Sequence, residues 1–312
     1  MVLEVMFETK HKIIPQGAVT YAVNCMGVCG SIIEEEKQFQ VKLAGEEKNV
    51  FDVLRAIWEI SFLYEGYFYK PTKYLYDLKE RKVDEIYFLN YYNIGKMWKD
   101  CATLLVDEKD YSDERIRSYC SFRNKGRESK SMIKSLINAF YYLHSEAYEK
   151  INVNHRLCLF LNICDGYVIN TSGPTNQVEA NIKKVIGNLD VKLVKYGAGL
   201  LGIPKGKLYD ALKNERHEID HYAFRENSVM DYVFSSQDKK GEYMNLYFTY
   251  IVELALRVCF LSQIGVTCSK EKLEFATNEI NDWVIFGCNL PEKCKNPKNV
   301  MKQELRELGI EM

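Results

Sequence analysis

The sequence predicts an α+β protein: an N-terminal mixed β/α domain followed by an all-α helical bundle. Three observations lead there. The first hundred or so residues interleave alternating, β-rich runs with one amphipathic helix. From about residue 131 onward, apolar residues recur with the helical period instead. Between the two, residues 121–131 are polar and basic with no apolar periodicity, which marks the boundary. The expected divisions are residues 1–122, residues 131–288, and a charged tail over 289–312.

Residues 2–8 alternate and are rich in β-formers. Residues 19–31 and 38–43 are expected as further strands, separated by a Gly-containing turn and a Glu run. A change of period then predicts a helix over 49–68. Val50, Leu54, Ile57, Ser61 and Phe62 form its inner face, while Asp52, Arg55 and Glu59 point away. Tyr- and Phe-rich pieces at 73–78 and 85–92 return to strand. The basic residues of the boundary (Arg123, Lys125, Arg127 and Lys130) read as a solvated linker in preference to phosphate contacts.

Helices are expected next over 132–150 and 154–169. A longer one begins at Gln177, with Val178, Ile182, Val185, Leu189 and Leu193 on one face. Further helices are expected over 207–224, 242–264 and 270–286. Short polar connections between such helices describe a bundle.

Composition narrows the function classes. A chain of 312 residues can bury a sizeable core. Its formal net charge of −1 supplies no global field toward nucleic acid or anionic membrane, so such binding needs a local patch. The ten cysteines are scattered singly and form no CxxC pair. With an N-terminus that lacks a basic leader, they read as reduced thiols of a cytoplasmic protein. The most apolar stretch, 244–265, is interrupted by Glu253 and Arg257. With Glu242, Asn245 and Thr249 these trace one polar edge, expected to face water on an amphipathic core helix that does not span a membrane.

Two nucleotide-site patterns fail on inspection. Gly197-Ala198-Gly199-Leu200-Leu201-Gly202 has dinucleotide-loop spacing, but Pro204 would break the helix that must receive the pyrophosphate. No strand–helix–strand alternation surrounds it. Gly202 to Lys207 lacks one residue of a Walker A loop and has Leu208 in place of the magnesium-binding hydroxyl.

The most informative stretch is Arg216-His217-Glu218-Ile219-Asp220-His221, which holds two of the five histidines. From His217 it reads H-E-x-x-H, in which both imidazoles could ligate zinc and Glu218 could polarise a bound water. The charged Asp220 sits where inward packing is usual, and Phe224 and Asn227 break the extended metzincin pattern. A third ligand such as Glu242 or Glu253 is conceivable. From Arg216 the stretch reads arginine and histidine five positions apart. An imidazole can move protons near neutral pH, and a guanidinium can hold a phosphate through paired hydrogen bonds. On a straight helix positions 216 and 221 diverge by about 140°. One copy therefore need not close a site alone, and two copies about a twofold axis could.

With its Arg-His-x-x-x-His core, the segment 211–222 resembles the motif helix of HEPN domains. The helical region resembles the ApeA-type branch found in bacterial abortive-infection proteins, which places such a domain behind an N-terminal mixed one. By this resemblance Arg216 and His221 are the catalytic pair, and His217 is the intervening polar position. The resemblance implies a metal-independent endoribonuclease without cofactor, acting in antiviral defence or a toxin-like response. It also implies a homodimer through the helical domain, with the N-terminal domain sensing an unknown trigger. The alternatives are a HEPN-like module that binds RNA or protein without turnover, and a zinc hydrolase.

Lys205, Lys207 and Lys213 are the candidate RNA-binding residues. With Lys184, Lys192 and Lys195 they form a basic run leading into the motif, which is either a solvated face or a phosphate track. His144 is expected as a satisfied core histidine and His155 as solvent-facing. Trp58, Trp98 and Trp283 are expected in the core.

Overall fold

The computed structural model describes residues 1–8, 18–35, 38–66, 68–85, 104–124, 133–144, 153–172, 177–204, 206–221, 229 and 240–287. Within these, only the backbone is described at 84, 133–135, 153–155, 218–221, 240–245 and 283–287. The architecture is α+β. Strands β1 (Val2–Glu8), β2 (Val19–Cys25), β3 (Val28–Glu35) and β4 (Gln38–Ala44) precede helix α1 (Glu47–Glu65). Strands β5 (Lys70–Tyr76) and β6 (Lys79–Arg81) follow it. They form a six-stranded antiparallel sheet ordered β2-β3-β4-β1-β5-β6.

The Gly-containing turn expected among these strands falls inside 19–31, between β2 and β3. The chain reverses at Met26 and Gly27, both at positive φ (55° and 75°), giving the two-residue turn whose twist suits a hairpin. Asp77 and Leu78 (φ 46° and 65°) close β5 onto β6 in the same way. The Asp77 carboxylate accepts the Val2 backbone N–H at 2.7 Å, tying that hairpin to β1. Alternation sets the face: Leu3, Val5 and Phe7 of β1 and Phe39, Val41 and Leu43 of β4 are buried together, with Phe7 paired to Phe39. The segment 86–92 lies outside the described residues.

The helices are α2 (Asp113–Asn124), α3 (Ile133–Tyr142), α4 (Val153–Ser172), α5 (Val178–Ile186), α6 (Val191–Leu200), α7 (Leu208–His221), α8 (Lys240–Gln263) and α9 (Lys270–Gly287). The long helix expected from 177 is therefore two. Asp190 accepts the backbone N–H groups of Lys192 and Leu193, and so caps a new start for α6. Apolar periodicity cannot register such a restart, because Leu189 and Leu193 remain buried on either side of it.

Helix α2 covers the first residues of the expected linker, and Arg123 is not a solvated linker cation. It is buried, 2.9 Å from Glu59 of α1, and donates to Asn138 at 2.6 Å. Glu59, expected to point outward, is fully buried and also accepts from Tyr119 at 2.7 Å. The polar edge of α8 is likewise buried at Thr249, Glu253 and Arg257. Arg257 Nε donates to the Leu63 carbonyl of α1 at 3.1 Å. A favourable ion-pair spacing suits a solvated stripe or a buried one, and here α1 covers it. Gly66 ends α1 at φ 70°, where a Cβ would stand 2.2 Å from Arg257 Nη1. Both conditions require glycine. Residues 246–263 are long and apolar enough to cross a bilayer, and 83% of that stretch is buried inside the fold.

One apolar core runs from Leu3 in β1 through α1 to Ile280 in α9. The segment 104–110 straps its two halves together. Leu105 N–H bonds to Tyr64 O at 2.9 Å, and Ser269 N–H bonds to Leu105 O at 3.0 Å. Lys109 reaches from this strap to Glu34 of β3 and Glu65 of α1, and all three side chains are at most 7% exposed.

Of the three glycines at 197, 199 and 202, Gly197 serves packing. A Cβ at Gly197 would lie 2.3 Å from the Tyr247 hydroxyl and 2.2 Å from Asn281 Oδ1, so α6 can approach α8 and α9 this closely only without a side chain.

His144 is buried, as expected, but it is not satisfied. Among the described residues neither ring nitrogen has a hydrogen-bond partner, and Phe62, Phe68, Phe140 and Phe160 surround the ring. Burial, then the charges of Arg156 and Arg257, push its pKa well below the usual value. The stability gained by keeping it neutral is present above the unfolded value near 6.5 and is lost as pH falls below that value. Between pH 7 and pH 5 this group is expected to lower stability. Urea unfolding of His144→Phe should lack that part of the acid loss, and an unchanged acid slope would contradict the assignment.

Candidate functional site

The motif occupies the C-terminal part of α7, which packs against α4 and α5. Arg216 is half-buried and turned toward α4. Its Nε donates to Asn162 Oδ1 at 2.6 Å, and its Nη2 donates to Asp165 Oδ2 at 3.1 Å. The other Asp165 oxygen accepts from Asn181 of α5 at 2.7 Å. Asp165 and Asn181 are both buried. Arg216 thus belongs to a polar chain crossing three helices. The neighbouring Glu215 is fully buried on the same helix.

His217 is half-buried. His221 is the last residue of α7, and its side chain, like that of Glu218, lies outside the described residues. Among the described residues no three His, Cys, Asp or Glu side chains form a metal-binding group.

The basic candidates are charge-compensated where they are described. Lys213 donates to Asp210 at 2.5 Å and lies 3.6 Å from Glu179. The hydrogen bond from Lys213 holds the Asp210 carboxyl below its usual range, and Asp210 in turn raises the Lys213 pKa. Lys207 is 55% exposed and 3.9 Å from the same carboxylate. Lys205 lies outside the described residues. Farther along the run, Lys184 donates to Ser172 at 2.6 Å and Lys192 is exposed.

Trp58 is buried, with its indole N–H donating to Tyr69 O at 3.0 Å. Trp98 and the side chains of His155 and Trp283 are outside the described residues. The described cysteines are all free thiols, and those at 25, 120, 158, 164 and 259 are buried.

Reading the sequence missed Asn162, Asp165 and Asn181. A signal for the first two was present: in α4 a polar pair three residues apart interrupts the apolar run Leu157–Val168. A buried carboxylate there requires a cationic or donor partner from a neighbouring helix. Which helix supplies it is decided only by packing.

Chemically, the arrangement offers a guanidinium gripped along one edge, two residues of histidine chemistry on the same helix, and a backing carboxylate. The gripped guanidinium can hold an anion. No protein-family description, curated protein or solved structure matches this chain.

Proposed function

We propose that this protein is a metal-independent endoribonuclease of the HEPN type. It cleaves RNA by attack of a 2′-hydroxyl on the adjacent phosphate, with Arg216 holding the phosphate and His221 moving protons. What supports this is the Arg216-His217-x-x-x-His221 pattern on a helix of an all-helical region, with its arginine held from α4 by Asn162 and Asp165. A guanidinium gripped by a neighbouring helix suits recognition of an anion in a fixed place. The helical region is then the HEPN bundle, and the N-terminal sheet senses a trigger or restrains activity. The setting is a cytoplasmic antiviral or toxin-like response.

Because positions 216 and 221 diverge on one helix, the working unit is a homodimer with its two motif helices facing each other. Lys207 and Lys213 contribute to binding the RNA backbone by exchanging carboxylate partners for phosphates.

Purified protein is expected to cut RNA in the presence of a chelator and to leave 2′,3′-cyclic phosphate ends. Ends bearing 3′-hydroxyls would reject the 2′-hydroxyl mechanism. About one zinc per chain, with activity lost on its removal, would favour the hydrolase alternative. RNA left intact under every condition would leave a binding module.

A further inference from the structure

We propose that Asp165, oriented by Asn181 and assisted by Asn162, is the positioning residue that fixes the Arg216 guanidinium for phosphate recognition. Its catalytic consequence rests on the ribonuclease reading above, whereas the grip itself can be tested without activity.

An arginine side chain has about 2 kcal/mol of rotamer entropy to lose, so a guanidinium that must meet a phosphate in one orientation needs restraint. Here α4 supplies it. Asn162 and Asp165 are three residues apart, which places both on one helix face roughly 4.5 Å apart along the axis. They take Arg216 Nε and Nη2. These two nitrogens form the side edge of the planar group. Holding that edge fixes the plane and the direction of the end edge, Nη1 with Nη2, the second two-pronged face a phosphate can meet.

The carboxylate is itself held. Asp165 is 8% exposed and Asn181 1% exposed, and Asn181 Nδ2 occupies the Asp165 oxygen that Arg216 does not. A buried carboxylate with both oxygens engaged by different helices has one orientation available. The same geometry argues against Asp165 acting as a plug that masks Arg216. A plug would be expected to take the guanidinium bidentately, yet here one carboxylate oxygen and one neutral amide share the edge. Because that amide is neutral, the grip on this edge orients the cation with one carboxylate oxygen and not two.

Three measurements test this. In Asp165→Asn, kcat for RNA is expected to fall about 100-fold, with KM nearly unchanged, since a misplacement of about 1 Å costs that much. Asn181→Ala should fall in the same direction by less. Free guanidinium should partly restore cleavage to Arg216→Ala, and that rescue should disappear in the charge-balanced double variant Arg216→Ala/Asp165→Asn. A residue with a purely structural role would not govern rescue by a small cation. Independently of cleavage, the Arg216 Nη2 protons, which Asp165 accepts, should give a resolved nitrogen-15 NMR signal in the native chain and average with those of Nη1 in Asp165→Asn. A folded Asp165→Asn that cuts RNA at the native rate or faster would overturn the proposal, as would rescue that ignores Asp165. If the native chain cuts no RNA, the ribonuclease reading fails, and the NMR comparison alone decides the grip: an unaltered Nη2 signal in Asp165→Asn overturns it.

Discussion

Replacing Lys109 with methionine is expected to lower the stability of the whole chain by about 3–5 kcal/mol, the cost of stripping the cation from a buried charge cluster. Lys109 is 7% exposed and sits between two carboxylates that are buried more deeply, Glu34 at 5% and Glu65 at 2%. It also donates to the Tyr69 hydroxyl at 3.2 Å, and Tyr69 donates to Glu65 at 2.8 Å. Burial first, then the Glu65 charge, push the Tyr69 pKa well above its usual value. Without the ammonium, two carboxylates from β3 and α1 would face each other in a dry interior.

The loss should be global, because the strap bearing Lys109 also bonds to α1 through Leu105 and to the start of α9 through Ser269. Urea unfolding followed by both far-ultraviolet dichroism and tryptophan fluorescence should show the two signals moving together. The triple variant Lys109→Met/Glu34→Gln/Glu65→Gln should recover most of the loss, since removing every charge also removes the penalty. A Lys109→Met chain as stable as the native one would mean that water reaches the cluster.

Removing either member of the proposed catalytic pair is expected to reduce RNA cleavage by about 100- to 10,000-fold, the range for losing a general acid–base group or a principal charge stabiliser. The two positions should differ in stability. Arg216→Ala leaves the buried Asp165 without its cation, so its melting temperature should fall along with its activity. Arg216→Lys keeps the charge but loses the two-nitrogen grip, and should separate the effects by melting near the native temperature while cutting poorly. His217→Asn should keep substantial activity on the HEPN reading, whereas zinc ligation would not survive it. Initial rates on a fluorescent RNA, with a thermal melt on each sample, check these outcomes. Native-level cleavage by Arg216→Ala would remove arginine from the mechanism.

The sequence alone determined the α+β order, because period-two and helical apolar repeats are local signals. β1 and β4 fall where alternation places them, α8 and α9 begin and end within two residues of their expected bounds, and α7 begins within one. It also determined which residues carry candidate chemistry, since the arginine–histidine spacing is contained in one helix.

Tertiary structure decided what those local signals leave open. An apolar pattern continues across a helix break, so only the Asp190 cap reveals that 178–200 is two helices. A charge on a helix looks the same whether water or another helix covers it. Glu59, Arg123, Glu253 and Arg257 therefore read as solvated, yet all are buried around α1. The partners of Arg216 lie 54 and 51 residues earlier in the chain. Sequence spacing can mark Asp165 as a buried carboxylate in need of a donor, but only the packing of α4 against α7 makes that donor Arg216.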